Sequence, residues 1–363
     1  MTDRLLDPDP ASVPDIADIV AQPLWRVRVR LFWRGFRTGW SSFAENKVGL
    51  VGLTVIVLFG AMALIQPILL GTVWEPRVFD PVVGYEAVVV EKTIVPDNEI
   101  TDPDTQVDLF SARLIDPLLQ VGDTLGVTEQ PASPSSRHLL GTDSLGRDVL
   151  SQLMFSTRAA FMLGIVAAMV AVFIATTVGA VSAFFGGLVD TLFMRLADLI
   201  ILVPFLPILI VLTALIDFGL FHLAVLIGVL GGFGGTAIIL KSQALSVSVK
   251  PFIDAARIAG GGRMHLIFRH IIPNVLPLSF LFMMFAVTDA ISAEATLSFL
   301  GLLNIDMSWG IMIYQARVQG YLLDPQRWWL IVPAGLAVTM LAGSFFLVGR
   351  AMDEIINPRL RRR

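Results

Sequence analysis

The 363-residue sequence contains no cysteine. That absence excludes a disulfide framework and any cysteine-based metal site. Histidine is scarce: His138, His222, His265 and His270 are scattered without ligand spacing, and each reads as a surface or interface residue. Charge is sparse as well. Lys, Arg, Asp and Glu make up 15% of the chain, whereas soluble domains carry about 25%. With 55% hydrophobic residues, the composition is that of a membrane protein. The net charge of −4 is too small to suggest a nucleic-acid partner. No GxxxxGK[ST] phosphate loop occurs, and the glycines from Gly231 to Gly235 lie in an apolar stretch with no basic residue to face a phosphate. Without HExxH, a Ser/His/Asp arrangement or a carboxylate pair in a soluble domain, no catalytic residue is expected and the chain reads as a non-enzyme. No cofactor is expected in it. The first 47 residues lack the apolar core of a signal peptide, so the N-terminus is expected to stay uncleaved and unexported.

Six long apolar runs are present, at 48–70, 159–184, 195–216, 220–240, 277–300 and 328–349. About 20 apolar residues rising 1.5 Å each cross the hydrocarbon of a bilayer. The fold class expected is an all-α polytopic membrane protein with both termini on the cytoplasmic side. Residues 1–23 are acidic and proline-bearing, and read as a disordered cytoplasmic tail. Within 24–47, Trp25, Val29, Phe32, Phe36, Trp40 and Phe43 share one stripe, and Arg26, Arg30, Arg34 and Arg37 another. That pattern predicts an amphipathic helix lying among lipid headgroups; a nucleic-acid arm is the alternative. Residues 71–158 form a polar insert with six basic and fourteen acidic residues. Its stretch 85–95 has strand-like composition and precedes a turn-rich segment, which predicts short strands. A small subdomain packed on the membrane part and a solvated loop are both open. A basic tail closes the chain at 351–363. With the insert outside, the inner segments hold 18 Lys and Arg and the outer ones eight, as the positive-inside rule requires.

Between the fourth and fifth runs lies a polar break, 250–274. Pro251 suits a first helical turn, and Asp254 sits near the positive end of the helix dipole. Phe252, Ala255, Ala256 and Ala259 follow i, i+3, i+4, i+7 and share a face small enough for close approach of another surface. Gly260, Gly261 and Gly262 are expected to stop the helix. A second helical run, 263–272, leads to Pro273. Physically this is either a docking knob or an ordinary loop on the headgroups.

The break resembles the EAA loop of binding-protein-dependent ABC importer permeases. The match is Asp254-Ala255-Ala256, three residues, Gly260, and later Ile271-Ile272-Pro273-Asn274. It departs from the family in Asp for Glu, in Ile272 for Leu and in the triple glycine. The resemblance implies that Phe252, Asp254, Ala255, Ala256, Arg257, Ala259, Gly260 and Gly261 form a coupling helix that fits a groove on an ATP-binding subunit. A second string, His138 to Asp148, resembles the LGTDxLGRD motif preceding the second span in the dipeptide/oligopeptide (peptide/nickel) branch. Its residues are Gly141, Thr142, Asp143, Gly146, Arg147 and Asp148, and Thr142 or Asp143 is expected to cap the helix that follows. Ala293 to Leu302 resembles a third segment of that branch. Together these identify a C-type subunit of the type I importer kind. The long insert is a departure from the family, and its role does not transfer.

Inside the membrane, Pro204 and Pro207 are expected to kink or unwind the third span, as a packing kink or a break facing the pathway. Gly228/Gly232 and Gly231/Gly235 have GxxxG spacing, for contact within the chain or between subunits. Asp198 is expected near Arg195. Asp289 and Glu294 are expected either to serve the translocation path or gate, or to be held by structural hydrogen bonds.

The family resemblance implies half of a translocation pathway for peptides or a similar small solute. It further implies a second homologous permease, two ATPase subunits that bind ATP and Mg, an external solute-binding protein, a lipid environment in a bacterial or archaeal plasma (inner) membrane, and no nucleic acid. Two alternatives stand beside it. One is a proton-coupled secondary transporter using Asp289 and Glu294, although no internal repeat is visible. The other is a non-transporting scaffold with an external sensor insert.

Overall fold

The computed structural model describes residues 39–103 and 105–356, together with residues 33 and 37. The expected tail at 1–23, most of the interfacial helix at 24–47 and the end of the basic tail lie outside the described residues. Of the aromatic stripe, Trp40 stacks on Phe43, and Phe43 tucks against Val348 and Ala351.

Helix α1, Lys47–Thr72, starts at Asn46, whose side chain accepts from Gly49 N at 3.0 Å. The insert follows. Strand β1, Val88–Val95, lies between β2, Gln106–Asp108, and β3, Thr124–Glu129, in the order β2-β1-β3. β1 pairs parallel with β2 and antiparallel with β3. Sequence composition pointed to the first strand alone, because three-residue β2 is too short to show a period and β3 carries Gly126 at its centre. Between β2 and β3 lies short α2, Leu109–Ile115, whose Ala112 is fully buried with Ile94 of β1 forming the insert's small interior.

Helix α3, Val149–Phe185, is 37 residues long and begins ten residues before the expected second span. Arg158 therefore lies within a helix and not in the insert. The cap is neither Thr142 nor Asp143. Asp148 takes that place, accepting from Ser151 N at 2.6 Å, because Thr142 and Asp143 are engaged in the turn before it. α3 is the central post of the bundle and buries a face rich in Ala, Gly, Ser and Thr, which allows close helix approach.

The next two spans are broken. α4, Gly187–Leu202, and α5, Phe205–Leu215, meet at 84°. Pro204 sits at the cap of α5 and Pro207 in its first turn, where a missing N–H costs no helical bond. α6, Leu220–Phe233, and α7, Gly235–Ser248, meet at 49° about Gly234. The fourth span was expected to be one helix over 220–240. It instead bends and runs eight residues further. Gly228 and Gly232 press on α3: a Cβ on them would lie 2.6 Å from Ala167 O and 2.8 Å from Ala171 O. That glycine pair serves contact within the chain.

After α8, Pro251–Ile258, the fifth span is continuous from Arg263 to Phe299 as α9, with a π-helical turn at Ile267–Ile271. The run at 263–272 is thus the foot of the span. α10, Trp309–Val318, lies across the end of α9, and α11, Val332–Ile356, completes the bundle against α1 and α9. Among the described residues four helices are long and apolar enough to cross a membrane, and the count reaches six where each bent pair is taken as one span. The fold is that of an all-α polytopic membrane protein with a small strand-bearing insert.

Candidate functional site

Three places concentrate the residues singled out from sequence. The first is α8. Lys250 is extended and Pro251 takes the first helical position. Ile253 is fully buried among Val178, Ala244, Val247, Ile267 and Ile271, so one side chain seats the short helix on the bundle. Around it Phe252, Asp254, Ala255, Arg257, Ala259 and Gly260 are exposed, while Ala256 and Gly261 are half-buried. Asp254 and Arg257 form a loose, exposed pair at 3.4 Å.

The helix stop is a Schellman turn. Gly260 N donates to Arg257 O at 3.0 Å and Gly261 N to Ala256 O at 2.9 Å. Gly260 takes φ +88°, which side chains rarely adopt. Sequence reading missed two residues here. Ile253 fell outside the small face it traced, although it is the anchor. Ile258, 88% exposed, extends the apolar face, and its spacing of three from Ala255 was the available signal. Met264 and Phe268 at the foot of α9 are exposed too.

At the opposite end of α3, about 50 Å away by helix rise, the string His138 to Asp148 ties the insert to the bundle. Asp143 accepts from the backbone of Leu145 and Arg147, from Arg147 Nε at 2.8 Å and from Gln152 Nε2 at 2.9 Å. Arg147 reaches Val82 O in the insert and Gln315 Oε1 on α10. Thr142 accepts from Ala132 N through its hydroxyl and from Trp329 Nε1 through its carbonyl. Gly141 and Gly146 take φ +69° and +76° where a Cβ would strike Ala132 O and the Tyr85 ring.

His138 is buried, not a surface residue. Its ring bridges Asp148 Oδ2 at 2.8 Å and Glu86 Oε2 at 2.7 Å. The hydrogen bond to Asp148, helped by Glu86 and opposed by burial, raises its pKa above the ordinary histidine value. The polar side chains of this string are turned inward on one another. It is a clasp.

The third place is a cavity of about 700 Å³ between α3, the α4–α5 bend, the α6–α7 bend and α9. Pro204 and Phe205 line one wall, Gly231 and Gly235 another, and Asp289 a third. A Cβ on Gly235 would meet nothing within 4 Å, and one on Gly231 nothing nearer than 3.8 Å. This second glycine pair holds the cavity open and does not bring helices together. Pro207 is not part of the wall.

Asp289 and Glu294, paired in the sequence reading, are separated. Asp289 is exposed to the cavity. Glu294 is 4% exposed and accepts from Ser298 Oγ at 2.6 Å, behind α10. Asp198 lies 3.9 Å from Arg195, both exposed. Among the described residues no group of three His, Asp or Glu is placed to hold a metal ion.

Comparison with known proteins accords with this geometry. Residues 175–362, just over half the chain, match the family described as the binding-protein-dependent transport system inner membrane component. The chain is 34% identical over 227 residues to the oligopeptide transport system permease protein OppC of Haemophilus influenzae, covering 62% of this chain and 71% of that one. It is 32% identical over 260 residues to the dipeptide transport system permease protein DppC of Bacillus subtilis, covering 70% and 79%. To OppC of Bacillus subtilis it is 28% identical over 324 residues, 88% of each. The matched region holds both broken spans, the seated helix with its glycine stop and most of the cavity wall, and on these grounds the chain belongs to the family of binding-protein-dependent transport system inner membrane components.

Proposed function

We propose that the chain is the C-type permease subunit of an ATP-driven importer, forming half of the pathway for peptides or a similar small solute handed over by an external binding protein. The observation that carries this reading is α8: a short helix seated by Ile253, stopped by Gly260, and presenting Ala255, Ile258 and Ala259 outward. A groove on an ATPase subunit would grip that face. Two ATPase subunits, which bind ATP and Mg, a second related permease and the binding protein complete the assembly. α8 and the insert lie at opposite ends of α3; in this reading α8, as the ATPase-docking helix, faces the cytoplasm of a bacterial or archaeal cell and the insert faces outward. Both termini are then cytoplasmic.

Mechanically, ATP-driven closure of the paired ATPases moves α8 as a rigid body. Because Ile253 packs on Ile267 and Ile271 at the foot of α9, that motion passes directly into the span bearing Asp289. The cavity alternates between openings as the spans rock. A proton relay through Asp289 and Glu294 is not supported, since Glu294 is sealed behind α10 and turned to Ser298.

The test is reconstitution of the purified complex in vesicles with dialanine as probe. ATP-dependent uptake that requires a co-purifying ATPase, and that is lost in Ala255→Arg, supports the reading. Uptake without ATP, or without any ATPase partner, overturns it.

A further inference from the structure

The cavity wall carries a charge of one sign. Of the described residues lining the 700 Å³ space, Asp289 alone is ionisable. It lies near the middle of the fifth span, where a carboxylate facing lipid would be costly. Neither Lys nor Arg is among those lining residues. Asp289 is flanked along the same wall by Ser292 and Thr296, three and seven residues on, and by Phe282 and Phe285, seven and four residues back. Those spacings place all five on one face of α9. Ser292 and Thr296 donate their hydroxyls to their own helix, to Thr288 O at 2.8 Å and Ser292 O at 2.7 Å. The hydroxyl oxygens remain free as acceptors toward the space. The wall thus offers a carboxylate, hydroxyl acceptors and two aromatic rings, all groups that favour a cation over an anion.

We propose that this face is a cation subsite, and that it receives the ammonium group of a passing solute through Asp289. The proposal rests on the importer reading for the identity of the traffic, and it adds the chemical class: solutes bearing a free amine. The carboxylate neutralises the ammonium where the surroundings are otherwise apolar. Ser292 and Thr296 accept remaining N–H donors, and the rings of Phe282 and Phe285 line the same wall. A solute with a blocked amine loses the charge pairing and leaves Asp289 unmet in a low-dielectric space.

The lack of cysteine makes the test direct. Ser292→Cys gives this chain one thiol on the cavity wall, beside Asp289. In membranes containing the intact complex, a cationic and an anionic thiosulfonate of similar size are compared, each rate divided by its rate with a free thiol in solution. The mass of this chain reports labelling. The expected preference for the cationic reagent is about tenfold, falling to near unity when Asp289→Asn is added. Equal rates in both backgrounds, or no reaction with either reagent because lipid or a partner subunit covers the face, overturn the proposal.

In the same vesicles, Asp289→Asn is expected to slow ATP-dependent dialanine uptake by about tenfold, and Asp289→Glu to restore most of it. Undiminished uptake in Asp289→Asn also overturns the subsite. Charge preference in the Ser292→Cys chain together with no ATP-dependent uptake by the unmutated complex sinks the importer reading instead, so the two failures are told apart.

Discussion

Arg158 Nε donates to the backbone carbonyl of Ala63 at 2.8 Å, joining α3 to α1. Ala63 stands four residues before Pro67, which lies inside α1 and has no N–H to return to that carbonyl. A proline that would orphan a carbonyl in the membrane is matched by an arginine that would otherwise have to leave it.

Removal of that donor has a cost. Arg158→Leu leaves the Ala63 carbonyl unpaired, with an expected loss of about 1–3 kcal/mol. It reads as a lower Tm of the purified complex. Adding Pro67→Ala restores the intrahelical donor and recovers part of the loss. An unchanged Tm in Arg158→Leu would show that water or lipid serves the carbonyl equally well.

The clasp is expected to depend on pH through His138. Its folded pKa is raised, chiefly by the hydrogen bond to Asp148. A raised pKa means the protonated ring is favoured in the folded state. The contribution is then complete below the ordinary histidine value and fades as pH rises through the folded value. Limited proteolysis of the insert across roughly pH 5 to 9 is the measurement: cleavage should increase toward alkaline pH, and His138→Gln should flatten the profile. Protection that improves with pH would contradict the assignment.

Gly260→Val forces a branched side chain into φ +88°. It should disrupt the stop of α8 at a cost of about 1–3 kcal/mol and leave the spans folded. Under the proposed importer reading, ATP hydrolysis by the complex would continue, uncoupled from uptake. If coupling survives, the Schellman turn does not set the geometry of the docking face.

The four glycines of α6–α7 divide by function, and alanine replacement tells them apart. Gly228→Ala puts a methyl 2.6 Å from Ala167 O, a backbone atom that cannot step aside. A loss of about 1–3 kcal/mol is expected, read as a lower Tm. Gly235→Ala points into the cavity and should be neutral to the Tm. Equal effects at both positions would remove the distinction between the packing pair and the cavity pair.

Much of this was legible from residue order. Spans show in sequence because a bilayer demands runs of apolar residues, and α8 showed because Pro251, the alanines and the triple glycine are local signals. What was missed depended on distant partners. His138 looks like any isolated histidine until Glu86, 52 residues away, is folded onto it. Asp148, rather than Thr142 or Asp143, caps α3 because Ala132, Trp329 and Gln152 engage the other two. The break at Gly234 was hidden in a run that composition alone reads as helix–helix contact.

Local chemistry, then, located the apolar runs, the short helix α8 and its stop, since hydropathy, proline and glycine act on their own neighbourhood. Only the folded bundle decided which carboxylate meets the cavity and which is sealed. Asp289 and Glu294 sit five residues apart on one helix, about 140° around its axis. The helices packed on each side, and not the residues between them, determine that one faces open space and the other Ser298.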